Sequence, residues 1–144
     1  MFQKILVCSD GSDRALNAAE RAAELAKLLN AHVTLLHVCQ IPSVHKPFSG
    51  APMLEGPAVE QYVRDMHRAV AERTTPVFEQ ACVAYDVLEE TGDPADTIAR
   101  VANQQDYDLI VVGSRGVSVD KAESLGSVSH SVLQNASCPV LVVR

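Results

Sequence analysis

The sequence predicts an α/β fold, a single domain built on one open parallel sheet of five strands with helices on both faces. Three observations lead there. Ile5-Leu-Val-Cys8 and Leu109-Ile-Val-Val112 are short, continuous apolar runs, as expected of strands covered on both sides. Stretches with helical periodicity separate such runs, so strands and helices alternate along the chain. The first strand, helix and second strand form a βαβ unit, which makes the strands parallel and the crossover right-handed.

Length and composition set the bounds. A chain of 144 residues suits one domain and is short for two. It is 47% hydrophobic, yet it has three Tyr, three Phe and no Trp, so the core must be aliphatic and alanine-rich. A net charge of −6 argues against nucleic acid as a partner, because neutralising phosphates needs a basic face. No apolar run reaches the roughly 18 residues of a membrane span, and Met1-Phe-Gln-Lys-Ile5 lacks the features of a signal peptide. We expect a cytoplasmic protein. Cys8, Cys39, Cys82 and Cys138 show no CxxC or zinc spacing and should be reduced thiols there. Cys8 and Cys39, near the ends of strands that could be neighbours, are either a redox pair or two small buried hydrophobes.

The elements follow in order. After Ile5–Cys8, Ser9-Asp-Gly-Ser-Asp13 is a turn rich in helix-capping residues. From Asp13 to Asn30, Ala15, Ala18, Ala22, Leu25, Ala26 and Leu29 form one helical stripe. His32–Val38 is the second strand. Residues 40–57 carry prolines at 42, 47, 52 and 57 and glycines at 50 and 56. A stretch of this kind is a flap near a site, a partner surface or a tolerated insertion. Val59, Val63, Met66, Val70, Val77 and Ala81 mark a helix over 58–82, which Pro76 should bend or interrupt near residue 72. Cys82–Leu88 is expected as a partly exposed third strand. Asp93 and Pro94 read as the cap and first position of a helix whose Ala95, Ile98, Ala99 and Ala102 face inward. Leu109–Val112, a helix over 128–136 and a strand over 139–144 complete the alternation.

The stretch with most chemical content follows the fourth strand. It reads Gly113-Ser-Arg-Gly116, nine residues, then Gly126-Ser127. Glycines at a strand end permit a turn with positive φ and let a ligand approach the main-chain amides. Gly126-Ser127 opens a helix, whose free N–H groups and dipole favour an anion. The pattern is a phosphate cradle in two pieces.

These residues resemble the nucleotide-binding signature G-x-x-G-x9-G-[S/T] of the ATP-binding subgroup of the universal stress protein family. Lys4-Ile-Leu-Val-Cys-Ser-Asp-Gly-Ser12 is similar to that family's opening strand and turn, and Ser137-Cys-Pro-Val-Leu-Val-Val-Arg144 to its closing strand. The resemblance spans essentially the whole chain. It implies the adenine nucleotide alpha hydrolase-like fold with strand order 3-2-1-4-5, and a ligand crevice where that order reverses, between the ends of the first and fourth strands. It also implies an ATP-binding regulatory protein of the stress response, whose nucleotide state modulates an unidentified protein partner. For the triphosphate we expect Gly113, Ser114, Arg115, Gly116, Gly126, Ser127 and Ser129, with the amides of Gly116, Gly126 and Ser127 meeting phosphate oxygens, and we count Val128 among the nucleotide-binding residues. By resemblance Val38 holds adenine through its backbone, and Cys8, Ser9 and Asp10 line the nucleoside. A bare carboxylate beside phosphates is repulsive. Asp10 therefore meets ribose hydroxyls or adenine, holds Mg²⁺ against the phosphates, or caps the first helix.

No Walker-type GxxxxGK[ST] is present, so this is no P-loop enzyme. His37 and His130 read as structural or surface histidines, and Asp86, Glu89 and Glu90 as a solvated strand edge. No nucleophile–base arrangement emerges, so slow ATP hydrolysis is the most that chemistry here implies. Val140-Leu-Val-Val143 is apolar on both faces at an expected sheet edge. Pairing with the same strand of a second copy, over 139–144, would close it as a homodimer. A nucleotide-independent interaction module of the same fold is the alternative reading.

Overall fold

The computed structural model describes residues 1–41, 56–115 and 125–144. Among the described residues nine elements alternate: β1 (Lys4–Cys8), α1 (Asp13–Leu29), β2 (His32–Cys39), α2 (Pro57–Ala81), β3 (Tyr85–Thr91), α3 (Pro94–Gln104), β4 (Leu109–Gly113), α4 (Ser127–Asn135) and β5 (Val140–Val143). The strands form one sheet in the order β3-β2-β1-β4-β5, and every pairing is parallel. Residues 42–55 of the proline-rich stretch, and Gly116, lie outside the described residues.

Strand alternation sorts the core into two layers. Ile5, Val7, Val33, Leu35, Leu109 and Val111 face α1 and α2, while Leu6, Cys8, Leu36, Ile110 and Val112 face α3 and α4. Both sets are buried, which is why the central strands read as unbroken apolar runs. On α1 the buried face is Ala15, Ala18, Ala19, Ala22, Ala23 and Ala26. With only a methyl at each position, this helix settles close to the sheet. That closeness matters at the site.

Helix starts behave as the sequence suggests. Ser12, in extended conformation, accepts a hydrogen bond from the Ala15 N–H and caps α1. Asp93 does the same for α3 through the Asp96 N–H at 3.0 Å, with Pro94 next to it. Asp93→Ala removes this cap from a short helix, and we expect it to cost about 1 kcal/mol in urea denaturation.

Three expectations need correction. The helix of 58–82 runs unbroken through Pro76. Phe78, two residues further on, is fully buried, and core packing of this kind outweighs the loss of one main-chain bond. Its inward face is also displaced from the expected stripe: His67, Val70, Thr74 and Phe78 are buried, whereas Met66 is exposed. Two polar residues hold core positions because each has a partner across the chain, as described below. Finally, β3 starts at Tyr85 rather than Cys82. Cys82 is in the left-handed conformation and ends α2, with its N–H directed to the carbonyls of Glu79 and Phe78. The strand instead extends to Thr91, paired with β2 as far as Cys39. Asp86 and Glu89 are exposed on this edge, as expected.

Candidate functional site

The strand order reverses between β1 and β4, whose neighbours β2 and β5 lie on opposite sides. Beyond their C-terminal ends opens a cavity of about 300 Å³. Of the residues expected there, Cys8, Ser9 and Asp10 come from the end of β1 and the turn after it, Val38 from β2, Gly113 from the end of β4, Arg115 from just beyond it, and Gly126, Ser127, Val128 and Ser129 from the start of α4. All ten line this one cavity. Pro94 and Ile98 of α3 add an apolar wall next to Val38.

The start of α4 has the chemistry of an anion site. Gly126 precedes the helix and supplies no side-chain cap. The N–H groups of Ser127, Val128 and Ser129 belong to the first turn, where no main-chain carbonyl of the helix can reach them. Among the described residues they have no partner, and they stand at the positive end of the helix dipole, where an anion is favoured.

The surrounding contacts revise several assignments. The Gly126 N–H donates to the Ser114 carbonyl at 2.7 Å, so it is unavailable to a phosphate. Ser114 does not line the cavity. Its N–H donates to the Val143 carbonyl at 2.7 Å and its hydroxyl accepts from Arg14 Nη1 at 3.1 Å. It thus ties together α1, β4, β5 and the entrance of α4. Ser129 lines the cavity, but its hydroxyl donates to the Gly113 carbonyl at 2.6 Å. These bonds staple α4 to β4 and hold the free N–H groups at the reversal point.

Gly113 is needed for a different reason from the one its position suggests. Its φ is not positive, so no left-handed turn requires glycine here. A Cβ at this point would stand 3.0 Å from the main-chain carbon and oxygen of Arg14 and 3.2 Å from the Ala15 nitrogen. The start of α1 passes directly over the end of β4.

At the other side of the cavity, Asp10 is exposed and accepts from the Ser12 N–H at 2.9 Å. The helix cap itself is Ser12, so Asp10 supports the turn before it. The Ser9 hydroxyl is buried, 2.9 Å from that of Thr74, and accepts from the Gly11 N–H. Arg73 of α2 donates to the Gly11 carbonyl and pairs with Asp13. Helix α2 therefore clamps the turn that follows β1.

Cys8, Cys39, Cys82 and Cys138 are all free thiols. Cys8 and Cys39 are buried and line the cavity. Burial pushes the Cys8 thiol well above its ordinary range, and the neighbouring Cys138 adds to this, so Cys8 is a small hydrophobe rather than a nucleophile. Among the described residues no group of three or more His, Cys, Asp or Glu side chains could hold a metal ion.

The sequence reading missed His37 as a cavity residue. It is 5% exposed, and its Nδ1 lies 2.7 Å from Nδ1 of His67, also buried. A polar residue between Leu36 and Val38 on a central strand, next to the reversal point, was the available signal. Burial pushes the His37 pKa down to about 4; His67 adds to this and Asp10 opposes it. The unfolded chain then holds more protons than the folded one between about pH 6.5 and pH 4. Stability is full above that window and is lost as pH falls through it. Because the ring borders open space, we expect the loss to be about 1–2 kcal/mol rather than the full shift. Urea denaturation at pH 7 and pH 4.5 should show a smaller difference in His37→Gln than in the parent.

A five-stranded parallel sheet in this order, with a crevice at its reversal point, is the adenine nucleotide alpha hydrolase-like fold. Within that class the chain belongs to the universal stress protein family, which matches residues 1–144. It is similar to universal stress protein YxiE of Bacillus subtilis (strain 168), at 36% identity over 151 aligned positions covering all of both chains. The fold resembles that of the universal stress protein UspA from Lactobacillus plantarum, with a TM-score of 0.73, 26% identity, and coverage of 99% of this chain and 98% of that one. It also resembles a universal stress protein solved in complex with cAMP, with a TM-score of 0.75, 24% identity, and coverage of 99% and 97%. No helix among the described residues is long and apolar enough to cross a membrane.

Proposed function

We propose that this chain is an ATP-binding regulatory protein of the stress response. The observation that carries the reading is the pairing, in one cavity, of an uncapped helix start at Ser127–Ser129 with an apolar wall at Val38, Pro94 and Ile98. The first suits phosphate oxygens, and the second suits a base. Arg115 lines the same cavity and can offset phosphate charge. The neighbour solved with cAMP holds an adenine nucleotide on this fold. At its level of identity that likeness concerns the fold, and the ligand class here rests on this chain's own residues.

Mg²⁺ enters the proposal as part of the nucleotide. With no cluster among the described residues to hold a metal, it would be bound mainly by phosphate oxygens and water, and Asp10 would supply at most one ligand. Gly116, outside the described residues, remains a proposed second contact to the phosphates. We read the protein as cytoplasmic, with its four thiols reduced, and as a binding protein rather than a rapid catalyst.

The edge strand supports a homodimer. Among the described residues β5 pairs with β4 alone, and all four of its residues are half-buried. The carbonyls of Pro139 and Val143 point to β4, so the N–H groups of Val140 and Val142 point outward. Val142→Pro removes an outward donor without touching a β4–β5 bond. In sedimentation equilibrium we expect the parent at twice the monomer mass and this variant at least tenfold more dissociated; an unchanged association constant would place the interface elsewhere.

The nucleotide reading itself is tested by titrating ATP, with Mg²⁺, into pure protein by calorimetry. Saturable binding below millimolar ATP is expected. No saturation at millimolar ATP rejects it and favours an interaction module that does not use nucleotide.

A further inference from the structure

His37 and His67 are a part of the cavity wall that phosphate binding leaves unused. His37 comes from β2 and His67 from α2; their rings meet edge-on, with centroids 4.7 Å apart. A separation of 2.7 Å between two Nδ1 atoms has room for one hydrogen. One ring donates, the other accepts at a bare Nδ1, and a neutral acceptor ring carries its proton on Nε2. His67 thereby controls which atom of a cavity-lining ring is a donor.

Of the two rings, His37 lines the cavity. With Nδ1 committed, Nε2 is the polar atom it has left for a ligand. Asp10 lines the same cavity, and its charge acts on His37. A carboxylate nearby favours an N–H rather than a lone pair, which favours the arrangement with His67 as the donor and Nε2–H on His37. A hydroxyl complements both groups at once, donating to a carboxylate and accepting from an imidazole N–H. A phosphate oxygen would suit the imidazole and be repelled by the carboxylate. The Ser9 hydroxyl cannot fill this role freely, since Thr74 and the Gly11 N–H already engage it.

We propose that His37 is a specificity-determining residue that, beside Asp10, binds a sugar hydroxyl of the nucleotide, and that His67 is a positioning residue that holds His37 in its Nε2–H form. This rests on the nucleotide reading above. It assigns a role to α2, which the phosphate contacts do not involve, and it makes recognition of the sugar depend on a contact between two elements 30 residues apart in the chain.

The test uses ¹⁵N-histidine-labelled protein, long-range ¹H–¹⁵N correlation spectra, and titrations with ATP and 2′,3′-dideoxy-ATP. The parent should show His37 protonated at Nε2, with that resonance moving on saturation with ATP, and should bind ATP about tenfold more tightly than the dideoxy nucleotide. His67→Phe should narrow the ratio to about twofold and let the His37 proton distribute over both nitrogens. His67→Gln, whose amide can donate to Nδ1, should restore most of the ratio. Equal affinity for the two nucleotides in the parent, or a His37 ring protonated at Nδ1, overturns the proposal and leaves nucleotide binding standing. Failure of both nucleotides to bind overturns the two readings together.

Discussion

Ser127→Glu is expected to lower the affinity for ATP by about 30-fold or more while leaving the fold slightly more stable. The two effects share one cause. Ser127 is the first residue of α4, and its side chain is exposed. A carboxylate in the first turn of a helix interacts favourably with the dipole and should stabilise the protein by roughly 0.3–1 kcal/mol. The same charge would stand within about 5 Å of a bound phosphate. At an effective dielectric constant between those of protein surface and water, the repulsion is about 2 kcal/mol, which corresponds to roughly 30-fold in affinity. Calorimetric titration and thermal melting on the same preparation check both halves. Opposite signs for stability and binding would exclude misfolding as the reason for lost affinity. A variant that binds ATP as tightly as the parent would show that the phosphates lie away from this helix start.

Gly113→Val is expected to destabilise the protein by about 3 kcal/mol or more. The Cβ alone would meet the Arg14 main chain at 3.0 Å, and main chain cannot rotate out of the way as a side chain can. The two further methyls would have to displace the start of α1, which also carries the Arg14 bond to Ser114 and the Ser12 cap. Overpacking of this kind costs about 1–3 kcal/mol where flexible side chains can give, and more where they cannot. Gly113→Ala should fall in the lower range. Urea denaturation measures both. A neutral Gly113→Val would mean that α1 and β4 are not in the close contact described, and that ligand approach alone explains the glycine.

These two residues also show what could be read from the sequence. The glycine–serine spacing brought Gly113, Gly126 and Ser127 to one cavity of the fold, because strand ends and helix starts leave local marks: an apolar run, then a glycine, then a residue that opens a helix. The same marks located Asp93 and Pro94 at the start of α3. The reason for Gly113 was hidden, since it depends on the path of α1, roughly 100 residues earlier in the chain. Ser114 and Gly126 were expected to face phosphate, but each bonds the other's segment, a pairing that no local pattern reveals.

Helix α2 was misread for a related reason. Periodicity assigns polar residues to the solvent side, and His67 and Thr74 break that rule. Each has its partner on the β1–β2 side of the cavity, His37 and Ser9 respectively, so burial leaves no unmet hydrogen bond there. An apolar-stripe argument cannot find such positions, because what permits their burial lies on another element. The strand order, by contrast, came from the family resemblance, and the structure has that order.

The central claim is that the free N–H groups at the start of α4 hold the phosphates of a nucleotide whose base rests by Val38. A crystal structure grown with ATP and Mg²⁺ tests it most directly. The account predicts phosphate oxygens within hydrogen-bond distance of the Ser127 and Val128 N–H groups, and adenine beside Val38, Pro94 and Ile98. ATP seated outside this cavity, or bound within it with the α4 N–H groups turned to protein atoms, would contradict it.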